Sequence, residues 1–428
     1  SALLLASLQT VALAANCSLS PIYNDIHRRT VHGSDVFQYG SFIGVGLPSQ
    51  NQSIFVSLKL NETSFASSNF CQHSNLTNCQ TSTGGSVDYN QSTTWQPNPS
   101  YNSKDFPDVV PSTIHGKDNI NLFTHFFETE PASATIVRDT QVAFGESGDV
   151  RPGRLGMGSS STLLNSLVAM GRIAGRTYSL YVGSGMSRAG GVVNGSSVFG
   201  GYDAGRFYKP VYANNPLDLS NPDFLHVTVT GITLNDKTNS AIKNISILDK
   251  GASFQARITT DQYPMSLPYQ VTQNFMSVLS AETTTEIDNS LRLTKPFNGS
   301  MTITLSNGFS VTLPHQVVYN NSGLSPVAAR SKQDSSPNYL SLAWLSEVYL
   351  MIDYDSNVFH MAQVKAKNAY VMPRTFCPKS IPVPYDYSKS SSPFMKQGMI
   401  GAVIGGIIGG SAIVIACVAL YMWWKRRE

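Results

Sequence analysis

Charged side chains are scarce: Asp, Glu, Lys and Arg make up 13% of 428 residues, where globular chains usually carry about 25%. The surface must draw its polarity from Ser, Thr and Asn instead. The 30 basic and 27 acidic residues nearly cancel, and the last four residues hold +2 of the net +3. The remainder has no basic patch for nucleic acid or acidic lipid, so no nucleic-acid partner is expected. Metal and phosphate motifs are missing as well. The sequence has no His-Glu-x-x-His, no paired Cys-x-x-Cys and no Walker loop, and its eight His are scattered. No metal and no cofactor is expected. A hydrolase elbow is absent, because Gly185-Met-Ser187-Arg-Ala189 lacks the closing glycine.

Two segments stand apart from any folded core. Residues 1–15 are apolar and end in Val11-Ala-Leu-Ala-Ala15, the pattern of a secretory signal before its cleavage site. Residues 399–424 run for 26 positions without a charge and are closed by Lys425-Arg426-Arg427. About 20 helical residues span a bilayer core, and Tyr421, Trp423 and Trp424 lie where an interfacial aromatic belt belongs. The reading is a single-pass membrane protein, its N-terminus extracellular or lumenal, with residues 425–428 as the cytosolic tail. Gly401, Gly405 and Gly409 recur on one face of that span, a spacing that would let two copies pair as a homodimer.

Between these segments, nine Asn-x-Ser/Thr sequons begin at Asn16, Asn51, Asn61, Asn75, Asn90, Asn194, Asn244, Asn298 and Asn320. They agree with a glycosylated domain on the secretory route, at the cell surface or in a vacuolar compartment. Cys417 falls in the apolar span, leaving Cys17, Cys71, Cys79 and Cys377. Four cysteines permit three pairings; Cys71–Cys79 with Cys17–Cys377 is the simplest. Short alternating runs such as 53–60, 226–232, 300–305 and 347–353, set between turn residues, predict an all-β domain. Only 161–170 and 269–281 read as helix. From Pro373 the composition turns to Pro, Ser, Tyr and Lys, which predicts an extended stem over 373–398.

A set of landmarks stands in fixed order. Tyr39-Gly-Ser-Phe-Ile-Gly-Val-Gly-Leu-Pro48-Ser-Gln50 is followed by Gly153-Arg-Leu-Gly-Met-Gly158, then Ser197-Val-Phe-Gly-Gly-Tyr-Asp203, then Leu345 to Asn357. In motifs and spacing this series resembles the pepsin-like aspartic proteases, the first being similar to that family's opening strand and turn. The resemblance implies a bilobal all-β pepsin-like fold, with lobes at 16–208 and 209–372 and a cleft between them. Each lobe would contribute one Asp at a D-T-G turn. Two carboxylates about 3 Å apart share a proton, one activating water and the other protonating the oxyanion.

The catalytic letters are degenerate. Counting from Gln50 puts the first Asp near Leu58, with Asn61 and Glu62 the closest polar side chains. Ile247-Leu-Asp249-Lys-Gly251 resembles the second motif, so Asp249 is the expected remnant of the pair. Lys250 then stands where the family buries a Thr whose hydroxyl bonds across to the partner turn. The C-lobe segment that should end in Gly reads Leu340-Ser-Leu-Ala343, and His115-Gly116 is placed at the flap. The expected function is a membrane-tethered, non-proteolytic ectodomain that binds peptide or glycoprotein ligands. The alternative is an acid endopeptidase using Asp249 and a second carboxylate not recognised in the sequence.

Overall fold

The computed structural model describes residues 17–386 apart from 36, 77, 106–112, 124–133, 148–152, 187, 215 and 366–369, together with 424–426. The leading residues 1–16, residues 387–398 of the expected stem, and residues 399–423 of the apolar span with its three glycines lie outside the described residues.

Strands form where the alternating runs predicted them, at Gln50–Ser57, His226–Asp236, Gly299–Leu305 and Val348–Asp353. In Gly299–Leu305 every second side chain is buried, the period of a half-buried strand. The two expected helices are Thr162–Ala169 and Tyr269–Leu279. The first starts where the Ser161 hydroxyl accepts from the Leu164 amide at 3.3 Å, satisfying one of the N–H groups a helix start leaves unpaired. Short helices occur also at Cys79–Thr83, His315–Val318 and Leu342–Leu345.

The lobes share a sheet. Val358–Gln363 and Val348–Asp353, late in sequence, continue through Thr177–Tyr181, Gly195–Phe199 and Ile22–Thr30 to Phe37–Val45, all antiparallel. The C-terminal lobe adds a sheet ordered Ser310–Leu313, Gly299–Leu305, His226–Asp236, Phe254–Ile258, Tyr339–Leu340. One continuous hydrophobic cluster underlies both lobes, from Ile22 through Leu58 and Ile258 to Met361.

Two turns are built alike. In the N-terminal lobe Gln50–Ser57 runs parallel to Arg154–Gly156, with Phe55 opposite Arg154 and Ser57 opposite Gly156; Ser64, past the turn, pairs antiparallel with the same Arg154. In the C-terminal lobe Phe254–Ile258 runs parallel to Tyr339–Leu340, with Arg257 opposite Tyr339, and Ser266 pairs antiparallel with that Tyr339. Arg257 and Ser266 follow Phe55 and Ser64 by the same 202 residues that separate Leu58 from Thr260. The repeat therefore equates Ser57 with Thr259, Leu58 with Thr260 and Lys59 with Asp261.

Cys17–Cys377 and Cys71–Cys79 are both joined. The expected stem starts later than Pro373. Pro373–Thr375 pair with Gly201–Asp203, and Phe376 is fully buried beside the terminal disulfide. An apolar side chain and a covalent tie hold this part of the chain to the domain, so its Pro content marks an edge strand rather than a tether.

Candidate functional site

The two turns meet at the centre of the molecule. The Leu58 amide donates to the Thr260 hydroxyl at 3.0 Å, a buried bond between the lobes. Thr260 is thus the buried threonine whose hydroxyl meets the partner turn, the role that the resemblance assigned to position 250. The first correction follows from this contact. Asp249 is an exposed turn residue whose carbonyl accepts from the Ala252 amide, and Lys250 beside it is exposed. Gly251 has φ +77° and open space around it. The letters Asp-Lys-Gly form a surface turn ahead of the strand, and the second central turn is Thr259-Thr260-Asp261.

The first turn needs a one-residue correction. Leu58 holds the bridging position, and Ser57 precedes it as Thr259 precedes Thr260. Leu58 is buried and has no hydroxyl to return the bond from its side. Ser57 lies opposite Gly156, where a Cβ would strike the Glu62 carbonyl at 2.4 Å. Only glycine lets the inserted strand approach that closely. The C-lobe counterpart is Ser341, whose hydroxyl donates to the Tyr263 carbonyl.

Two hydroxyls therefore occupy the centres: Ser57, fully buried, and Thr259, 6% exposed. A carboxylate sits between them from a position sequence reasoning did not single out. Asp261 Oδ2 lies 3.5 Å from Thr259 Oγ1, and the Ser57 hydroxyl favours the ionised form of this carboxyl. The Asp261 amide donates to the same Thr259 oxygen at 3.2 Å, which folds the side chain back over the turn. Arg154 brings Nε to 4.0 Å from Asp261 Oδ1 and lays its guanidinium 5.2 Å from the Phe55 ring. Desolvation raises the Asp261 carboxyl above its ordinary value, against the Ser57 hydroxyl and the charges of Arg154 and Lys59. The available signal was the parallel strand register, since Phe254–Ile258 leads directly into Thr259.

Asn61 and Glu62, the nearest polar residues expected around the first position, are committed elsewhere. Asp105 accepts from the Glu62 amide at 2.7 Å and from Asn61 Nδ2 at 3.0 Å, clamping the turn. Burial raises the Asp105 carboxyl while these bonds oppose the rise. Glu62 is buried, bonded to the Ser103 hydroxyl and 3.3 Å from His115 Nδ1. His115 is not at a flap tip. It pairs with Ala143 near the base of the hairpin formed by Thr113–Phe123 and Ala134–Gly145, and the connecting residues 124–133 lie outside the described residues.

Beneath the crossing is an apolar cavity of about 30 Å³, lined by Ile26, Val56, Leu180, Met186, Thr260 and Leu342. It is large enough for roughly one water but offers it few polar partners. No cluster of three or more His, Cys, Asp or Glu suited to a metal ion occurs among the described residues.

The two turns share one pattern of strand register, each flanked by a parallel strand, and a hydrogen bond joins them. No curated relative matches the chain. The profile of the eukaryotic aspartyl proteases matches residues 38–364, and the chain belongs to that family.

Proposed function

We propose that this is a non-proteolytic aspartyl-protease-like protein that uses its inter-lobe cleft to bind peptide or glycoprotein segments. One observation carries the reading: Ser57 and Thr259 stand where the two aspartates belong. The family's chemistry needs one carboxylate to take a proton from water while a second gives one to the carbonyl oxygen. A hydroxyl does not ionise at any pH where the protein would work. Asp261 supplies a carboxyl faced by Arg154, and the other carboxylate whose charge reaches it among the described residues, Asp223, is held by Arg257 at 3.1 Å and by the Tyr339 hydroxyl at 2.9 Å. A cleft in this state keeps main-chain groups and pockets able to hold an extended peptide.

The apolar span 399–424 and the leading residues 1–15 support a membrane-tethered, secretory setting for this domain. Gly401, Gly405 and Gly409 support pairing of two copies within the bilayer.

The competing reading is an acid endopeptidase. Asp249 is poorly suited to it, being exposed on an outer turn; Asp261 is the carboxyl such an activity would use. Incubation of the purified protein with a mixed peptide library at acid pH, beside Asp261→Asn, separates the two. Equal background in both supports a binder, and capture of a reproducible peptide subset locates its ligand class. Cleavage abolished in Asp261→Asn would overturn the proposal.

A further inference from the structure

The geometry points to a division of the eight sequon asparagines among the described residues, which leave out Asn16, into five that carry N-linked oligosaccharide, Asn75, Asn90, Asn194, Asn244 and Asn298, and three that stay bare, Asn51, Asn61 and Asn320. This rests on the secretory reading given above.

An N-linked glycan is bulky and solvent-seeking, so a folded chain tolerates it only where the asparagine side chain points into open water. All five of the first group are exposed. They are spread over separate surface segments, Asn90 in the short helix Tyr89–Gln91. Asn244 has a left-handed backbone (φ 55°), common for Asn in an open turn, and Asn298 precedes the strand Gly299–Leu305.

The other three are part-buried and their amides are structural. Asn61 is the most constrained. Its Nδ2, the atom a sugar would join, donates to Asp105 at 3.0 Å, and its Oδ1 accepts from the Ser160 amide at 2.8 Å. Its carbonyl accepts from the Thr162 amide at 2.9 Å. A Cβ at Gly158 would come within 2.7 Å of Asn61 Oδ1, which shows how closely the neighbouring chain covers it. The Thr63 hydroxyl of the same sequon is fully buried and accepts from the Gly156 amide at 3.3 Å. Asn51 lies in the strand Gln50–Ser57, and its Oδ1 accepts from the Ser49 hydroxyl at 2.9 Å. Asn320 turns inward, its Oδ1 accepting from the amides of Ser322 and Leu324 at 3.0 and 2.8 Å.

The consequence concerns the cleft. Asn61 belongs to the turn that follows Ser57, and a sugar there would displace the Asp105 clamp that shapes it. With Asn61 bare, the centre of the cleft stays open.

The test is site mapping on the full chain made in a eukaryotic secretory host. Enzymatic release of the glycans in ¹⁸O-labelled water marks each occupied asparagine in the tryptic or chymotryptic peptides. The expected result is label on Asn75, Asn90, Asn194, Asn244 and Asn298, with the Asn51, Asn61 and Asn320 peptides recovered unlabelled. In parallel, Asn298→Gln should shift gel mobility by one glycan, and Asn51→Gln should leave it unchanged. Label on Asn61, or two or more of the five recovered bare, overturns the division while leaving the secretory reading intact. Absence of label everywhere overturns both.

Discussion

The backbone amide of Leu58 and the side-chain hydroxyl of Thr260, 202 residues apart in sequence, form a 3.0 Å hydrogen bond at the junction of the lobes. Both residues are at most 3% exposed. Replacing Thr260 by Val keeps the shape and removes the acceptor, leaving a buried amide without a partner. The cost should be about 1–3 kcal/mol, read as a lower denaturation midpoint, whereas Thr260→Ser should retain most of the stability.

A second contact ties the lobes. Arg188 donates to Asp288 and, at 2.8 Å, to the Ser290 hydroxyl, and its guanidinium lies 4.4 Å from the Tyr263 ring centre. Tyr263 in turn donates to the Arg188 carbonyl at 2.5 Å. Arg188→Met removes the charge-assisted bonds but keeps much of the apolar stem. The expected loss is about 1–3 kcal/mol, measured by denaturant unfolding. No change would show that these part-exposed contacts contribute nothing net.

Much of the fold was legible because its landmarks are packing residues. Asp203, closing Phe-Gly-Gly-Tyr-Asp, is fully buried and accepts from the Gly205 and Met372 amides. A residue so bonded leaves a recognisable pattern in the sequence. The central turns were harder to read, since their letters have changed and only strand register identifies them. Asp249-Lys-Gly251 copies two letters of the motif from a surface turn, while Thr259-Thr260-Asp261 copies the position with different letters. Counting along the first strand points to Leu58, one residue beyond Ser57, and in a strand one residue exchanges one face for the other. The stem was misread because composition registers Pro and Ser but not the burial of Phe376.

Two groups, the half-buried Glu347 and the buried His360, make stability depend on pH in opposite senses. Desolvation lifts the Glu347 carboxyl from its ordinary 4.5 to about 7. A folded-state pKa above the unfolded one means the native protein holds the extra proton. That contribution is complete below about 4.5 and is lost as pH rises through about 7. His360 is 3% exposed, with neither ring nitrogen partnered among the described residues, and burial lowers it from 6.5. Its contribution is complete above about 6.5 and is lost as pH falls below that. Unfolding midpoints across pH 4 to 8.5 should therefore fall at both ends. Glu347→Gln should flatten the alkaline side and His360→Leu the acid side; an unchanged profile in either variant refutes its assignment.

Cys17 and Cys377 close a loop with a sequence separation of 360 residues. Cross-links over long loops stabilise by restricting the unfolded chain, typically by about 2–5 kcal/mol. The paired change Cys17→Ser, Cys377→Ser should lower the thermal midpoint and release the segment around Phe376 first, seen as faster amide exchange at Pro373–Thr375 and its partner Gly201–Asp203 than in the central sheet.

The central claim is the proposal that, among the described residues, Ser57 and Thr259 take the places of the carboxyl pair that hydrolysis needs, with Asp261 the carboxyl left at these turns. Its most direct test is the initial rate of peptide cleavage at acid pH by the unaltered protein, by Asp261→Asn and by the double change Ser57→Asp, Thr259→Asp. The account predicts background for the first two and a rise above background in the third. Cleavage by the unaltered protein that disappears in Asp261→Asn would contradict it.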